Sequence, residues 1–192
     1  MASKANFTPD EWSRVLASPM VAGTAITAAD PSGLWGLLKE GMAGGWAMLK
    51  AKQDANANPL IKAVAQDFAE GDARTLATDH IKAIFKGAQA SDLKSRAVQE
   101  LRSVATLLDA KAPQDAAAFK TWLRDIAQKA AEAANEGGFL GFGGVAVSDA
   151  EKATLAEIST ALNTVPATAM TESASGVYTV LRALPAGSDG QL

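Results

Sequence analysis

At 192 residues the chain is long enough to bury a hydrophobic core of its own, and with 48% hydrophobic and 20% charged residues it is too apolar for intrinsic disorder. Eighteen Lys plus Arg against twenty-one Asp plus Glu leave a net charge of −3, which gives no basic footprint for nucleic acid. The absence of cysteine removes disulfides, thiolate zinc sites, iron–sulfur clusters and cysteine nucleophiles.

Residues 1–7 carry one Lys and no apolar run, so they do not read as a secretory signal, and the alanine-rich composition reads as that of a soluble bacterial cytoplasmic protein. The first helix signal follows: Thr8 as cap, Pro9 in the first helical position and Glu11 closing a capping box, predicting a short helix through Ala17. Ser18-Pro19 repeats the pattern and predicts a second helix over 20–29, whose small, uncharged side chains (Val21, Ala22, Ala25, Ile26) mark it for burial. Asp30-Pro31 opens a third over 32–54, carrying Leu34, Trp35, Leu38, Met42, Trp46 and Leu49. It is interrupted by five glycines, each costing ~1 kcal/mol relative to alanine, so either packing offsets them or the helix breaks near Gly44-Gly45.

Asn58-Pro59 starts a fourth helix with Ile61, Val64, Ala65 and Phe68 on one face and Gly71 as its stop. A fifth, over 72–86, groups Leu76, Ala77, His80, Ile81, Ile84 and Phe85 and ends at Gly87. Ser91 then caps a long helix in which Leu93, Ala97, Leu101, Val104 and Leu108 recur in steps of four and three, the strongest periodicity in the chain. After Ala112-Pro113 the same spacing returns in Phe119, Leu123, Ile126, Ala130 and Ala133, so the helices over 92–110 and 114–134 are expected to pair as the antiparallel spine of the fold, with the N-terminal helices covering one end.

Glycines dominate residues 137–144, where Phe139, Leu140 and Phe142 are interleaved with Gly141, Gly143 and Gly144, and Val145 and Val147 fit a short extended segment. Ser148 and Glu151 form a second capping box for a helix carrying Leu155, Ile158 and Leu162. A loop containing Pro166 leads to a last amphipathic helix over 172–184, and residues 185–192 form a polar, flexible tail. The expectation is an all-α fold: one domain over 1–192, a bundle of about seven or eight helices with one glycine-rich loop, and residues 145–184 as the only candidate for a subdomain.

Chemistry-bearing constellations are sparse. His80, the only histidine, stands beside Asp79; it reads either as a general base oriented by that carboxylate or, more simply, as a partly buried histidine with a structural partner. One histidine and no Glu-x-x-His pair give no metal site, so neither metal nor cofactor is expected, and no catalytic residue is assigned. The glycine loop lacks the Gly-Lys-Ser/Thr ending of a phosphate-binding loop, and its aromatic content suits packing into the bundle, a protein partner or weak contact with a membrane surface. Asp30-Pro31 splits the apolar run 20–38, so no segment is expected to span a membrane. Tryptophans 12, 35, 46 and 122 read as core anchors, with Trp35 and Trp46 interface candidates where exposed. The leading functional expectation is a non-enzymatic interaction protein binding another protein, or a second copy of itself, through a helical face or through Phe139, Leu140, Gly141, Phe142, Gly143 and Gly144. A carrier holding an apolar molecule inside the bundle and an enzyme using His80 are the alternatives.

Overall fold

A computed structural model describes residues 2–29, 54, 57–135 and 147–164. Among these the structure is mostly helical and contains no strand. A 3₁₀ turn at Lys4–Asn6 leads into six α-helices: α1 (Pro9–Thr27), α2 (Pro59–Phe68), α3 (Gly71–Phe85), α4 (Ala90–Lys111), α5 (Pro113–Asn135) and α6 (Asp149–Ala161). The helix expected over 32–54, the glycine loop at 137–144 and the helix over 172–184 lie outside the described residues.

The two short N-terminal helices expected from the sequence are one. α1 runs through Ser18-Pro19 without a break, with Pro19 in its interior. A mid-helix proline removes the N–H that would bond the carbonyl four residues back, here that of Val15. Ser18 supplies the substitute: its hydroxyl donates to the Val15 carbonyl at 2.7 Å, and Ser18 is fully buried. The Ser-Pro pair that resembles a cap and first turn is therefore a local repair that lets the helix continue.

α1 is also the centre of the fold and not a cover at one end. Ten of its nineteen residues are buried, including the unbroken stretch 15–19, so around Pro19 the helix is buried on every side. It packs against each of the other five helices, most extensively α4, α5 and α3. The expected pair α4 and α5 is present, separated by Ala112 alone, but each makes its larger interface with α1. Its periodic residues behave as the spacing requires: Ala97, Leu101, Val104 and Leu108 on α4 and Phe119, Leu123, Ile126 and Ala130 on α5 are buried. α6 adds Ile158 and the following Leu162 to the same core.

Helix starts follow the cap chemistry in three places. Thr8 accepts from the Glu11 amide and Ser148 from the Glu151 amide, each inside a reciprocal capping box, and the Asn58 carbonyl oxygen accepts from the amides of Leu60 and Ile61. Two starts differ from expectation. Gln89 and not Ser91 caps α4, because Asp92 closes a box back onto the Gln89 amide. Gly71 begins α3 instead of stopping α2, which has already turned at Ala69. Gly87, at φ +68, takes the left-handed conformation that closes α3, where glycine avoids the penalty a side chain would meet.

Candidate functional site

Residues 79 and 80 are consecutive on α3, and one step along an α-helix rotates a side chain by about 100°. They therefore point to different surroundings. Asp79 is exposed and pairs with Lys82 at 3.0 Å, a solvated contact within one helix. His80 turns inward to α4, where its Nε2 lies 2.9 Å from Oε1 of Glu100. The expected Asp79–His80 dyad is thus not formed, and the partner of His80 is a residue twenty positions away.

Glu100 sits on the flank of the α4 stripe, three residues after Ala97 and four before Val104, and only 11% of its side chain is accessible. The same Oε1 accepts from Nε of Arg14 on α1 at 2.6 Å. Burial pushes the Glu100 carboxyl up, but the hydrogen bond from His80 together with the charge and hydrogen bond of Arg14 outweigh it, so its pKa lies below the ordinary carboxylate value. An ionised carboxylate only accepts, which requires the proton of the His80 ring to sit on Nε2. The cluster thereby joins three helices through one oxygen atom.

Other buried polar groups are also placed as clips between elements. Asp115, in the first turn of α5, accepts from the Ala2 amide at 2.6 Å and from Asn58 Nδ2 at 2.8 Å, binding the N-terminal segment and the start of α2 to α5. Trp12, an expected core anchor, is buried and donates from Nε1 to Asp67 on α2 at 2.8 Å, where Lys4 adds an ion pair at 2.8 Å. Lys120 on α5 is buried against both oxygens of Asp109 on α4. Trp122 is half-buried, edge-on to Phe119 with ring centres 5.2 Å apart. Trp35, Trp46 and the loop residues Phe139, Leu140, Gly141, Phe142, Gly143 and Gly144 lie outside the described residues.

The outer face of α3 is the remaining feature. Gly71, Arg74, Thr75, Thr78, Asp79 and Lys82 line an open groove of about 300 Å³. His80 does not reach it, and it is an open surface groove bordered by charged and hydroxyl-bearing residues, unlike the enclosed apolar interior a hydrophobic ligand needs. Beside it Leu76, expected on the apolar face, is 47% exposed, the one large hydrophobic side chain so placed among the described residues. Among those residues no group of three His, Asp or Glu is arranged to hold a metal ion, and no helix is long and apolar enough to cross a membrane.

Sequence reasoning missed Glu100 and Arg14. For Glu100 a signal existed, a charge at an inward-facing step of a strongly periodic helix; for Arg14, eighty-six positions away, there was none. Comparison with family models, with curated proteins and with solved structures found no match. The functional reading therefore rests on the chemistry of this chain alone.

Proposed function

We propose that the chain is a non-enzymatic helical protein that works by binding a protein partner, a second copy included, and that the outer face of α3 is one surface it uses. The observation that supports this most is α3 itself: a fifteen-residue helix whose outer side combines exposed Leu76 with the groove residues Arg74, Thr75, Thr78, Asp79 and Lys82. The exposed leucine, farther round the helix than the groove, offers a partner an apolar anchor, and the groove's charges and hydroxyls offer polar contacts. The anchoring of His80 by Glu100, itself shared with Arg14, supports a structural role for the histidine in preference to catalysis.

Residues 139–144, with Phe139, Leu140 and Phe142 between glycines, are the second proposed contact, on composition alone. The proposed setting is a bacterial cytoplasmic protein forming a single helical domain of about seven or eight helices. Photo-crosslinking tests the α3 surface. A reactive side chain at Leu76 should yield a discrete adduct in an extract of the native host, whereas one at Thr106, exposed on α4, should not. Equal labelling from both positions would remove α3 from the proposal, and a variant lacking residues 139–144 that keeps every adduct would remove the loop.

A further inference from the structure

α3 is attached to the bundle differently from the helices around it. Only Ala73 and Ala77 of its fifteen residues are buried, and its larger apolar side chains Ile81, Ile84 and Phe85 are half-buried. α4 buries Leu101, Val104 and Leu108 completely, and α1 buries Val15, Leu16 and Val21 completely. The free energy needed to open a segment tracks the apolar contacts it loses, and α3, although it packs along α1, gives the core no fully buried large side chain among the described residues.

Beyond its packing on α1 and α2, its ties to α4 are polar clips. Glu100 holds His80, and the guanidinium of Arg96 donates to the carbonyls of Ile84 and Lys86 at 3.1 Å each, fastening the C-terminal end of the helix. Such clips exchange readily for water when they part, because each group regains hydrogen bonds in solvent. Glu100 is a special case, since a buried carboxylate stripped of its partner would oppose opening. Here Arg14 remains on the same oxygen at 2.6 Å when His80 leaves, so the charge stays compensated. Short connections flank the helix, Ala69-Glu70 before it and the Gly87 turn after it.

We infer that α3 is a strap that opens as a unit from a closed α1–α4–α5 frame, hinged at residues 69–70 and 87–89, with the Glu100 carboxylate as its latch. Opening presents the inner face of α3, with Ala73, Ala77 and Ile81, together with the surface of α1 beneath it, while the frame keeps its packing.

Hydrogen–deuterium exchange of the full chain near neutral pH, resolved by peptide, tests this. The amides of 77–85 should exchange at least tenfold faster than those of 101–108 on α4 and 119–127 on α5. Ile126→Val, buried inside the frame, should accelerate 119–127 and leave 77–85 unchanged, whereas Glu100→Gln and Arg96→Ala should each accelerate 77–85 several-fold further. Exchange of α3 in step with α4 and α5 would overturn the inference, as would an Ile126→Val variant that accelerates 77–85 as much as 119–127, since either result means that α3 leaves only when the whole protein unfolds.

Discussion

α1 and α3 invert what their local sequences suggest. α1 carries an internal proline, a glycine and a buried serine, all poor in a helix interior, yet it is the most deeply buried helix described. α3 has no proline and no glycine beyond its first residue, yet it buries two alanines. Helix propensity and burial are separate quantities: tertiary packing can hold a helix that would not form alone, and a good helix former can remain on the surface. In this molecule the first situation builds the buried centre and the second leaves a helix whose outer side is exposed.

The contrast is sharpest in truncation. Leu16 on α1 is fully buried, so Leu16→Ala should cost about 2–5 kcal/mol through lost transfer energy and the cavity left behind. Leu76→Ala on α3 should stay within about 0.5 kcal/mol, the usual range for surface changes. Urea denaturation of both variants measures the difference, and comparable losses would mean that α3 belongs to the frame. Next in size is the repair in α1. Ser18→Ala removes the hydroxyl that satisfies the Val15 carbonyl and should cost about 1–3 kcal/mol, the penalty for a buried unpaired acceptor. Adding Pro19→Ala restores an N–H at the position that normally bonds that carbonyl, so the double variant should recover stability relative to Ser18→Ala. A double variant weaker than the single one would show that Ser18 acts by some route other than the Val15 bond.

The same contrast explains what could be read in advance. Where a rule is local and unopposed it held: the reciprocal boxes at Thr8 and Ser148, the Asn58 cap and the stripes of α4 and α5. Ser18-Pro19 misled because the hydrogen bond that turns a helix start into a helix interior runs to a residue three positions back and resembles neither motif. Leu76 misled because the apolar residues of α3 spread around the helix, so periodicity alone could not say which would face inward. Asp79 beside His80 was a pairing of sequence neighbours, which an α-helix separates, while the real partners Glu100 and Arg14 are brought there by tertiary packing.

A smaller effect depends on pH. Folding holds the Glu100 pKa below its ordinary value, so the node contributes stability that is fully present above the unfolded pKa, 4.5, and is lost as pH falls through the folded pKa. Glu100→Gln should therefore be less stable than the parent at pH 7, with the gap narrowing as pH drops below about 4.5. Urea midpoints for both proteins at pH 7 and in acid decide it, and a gap constant with pH would mean that the carboxylate charge contributes nothing.

The smallest effects separate frame from strap most cleanly, because they add stability without removing a contact. A Cβ built on Gly23 of α1 meets no atom within 4 Å, and neither does one on Gly71 at the start of α3. Glycine to alanine at such helical positions stabilises by about 0.5–1 kcal/mol, chiefly by restricting the unfolded chain. Gly23→Ala lies in the frame and should raise the global unfolding midpoint. If α3 opens before the frame unfolds, Gly23→Ala should slow exchange across 119–127 and leave that of 77–85 unchanged, whereas Gly71→Ala, in the strap, stabilises the native state against both openings and should slow both. Should Gly23→Ala protect both regions equally, α3 and the frame unfold together, and the difference between the two helices is one of burial and not of cooperativity.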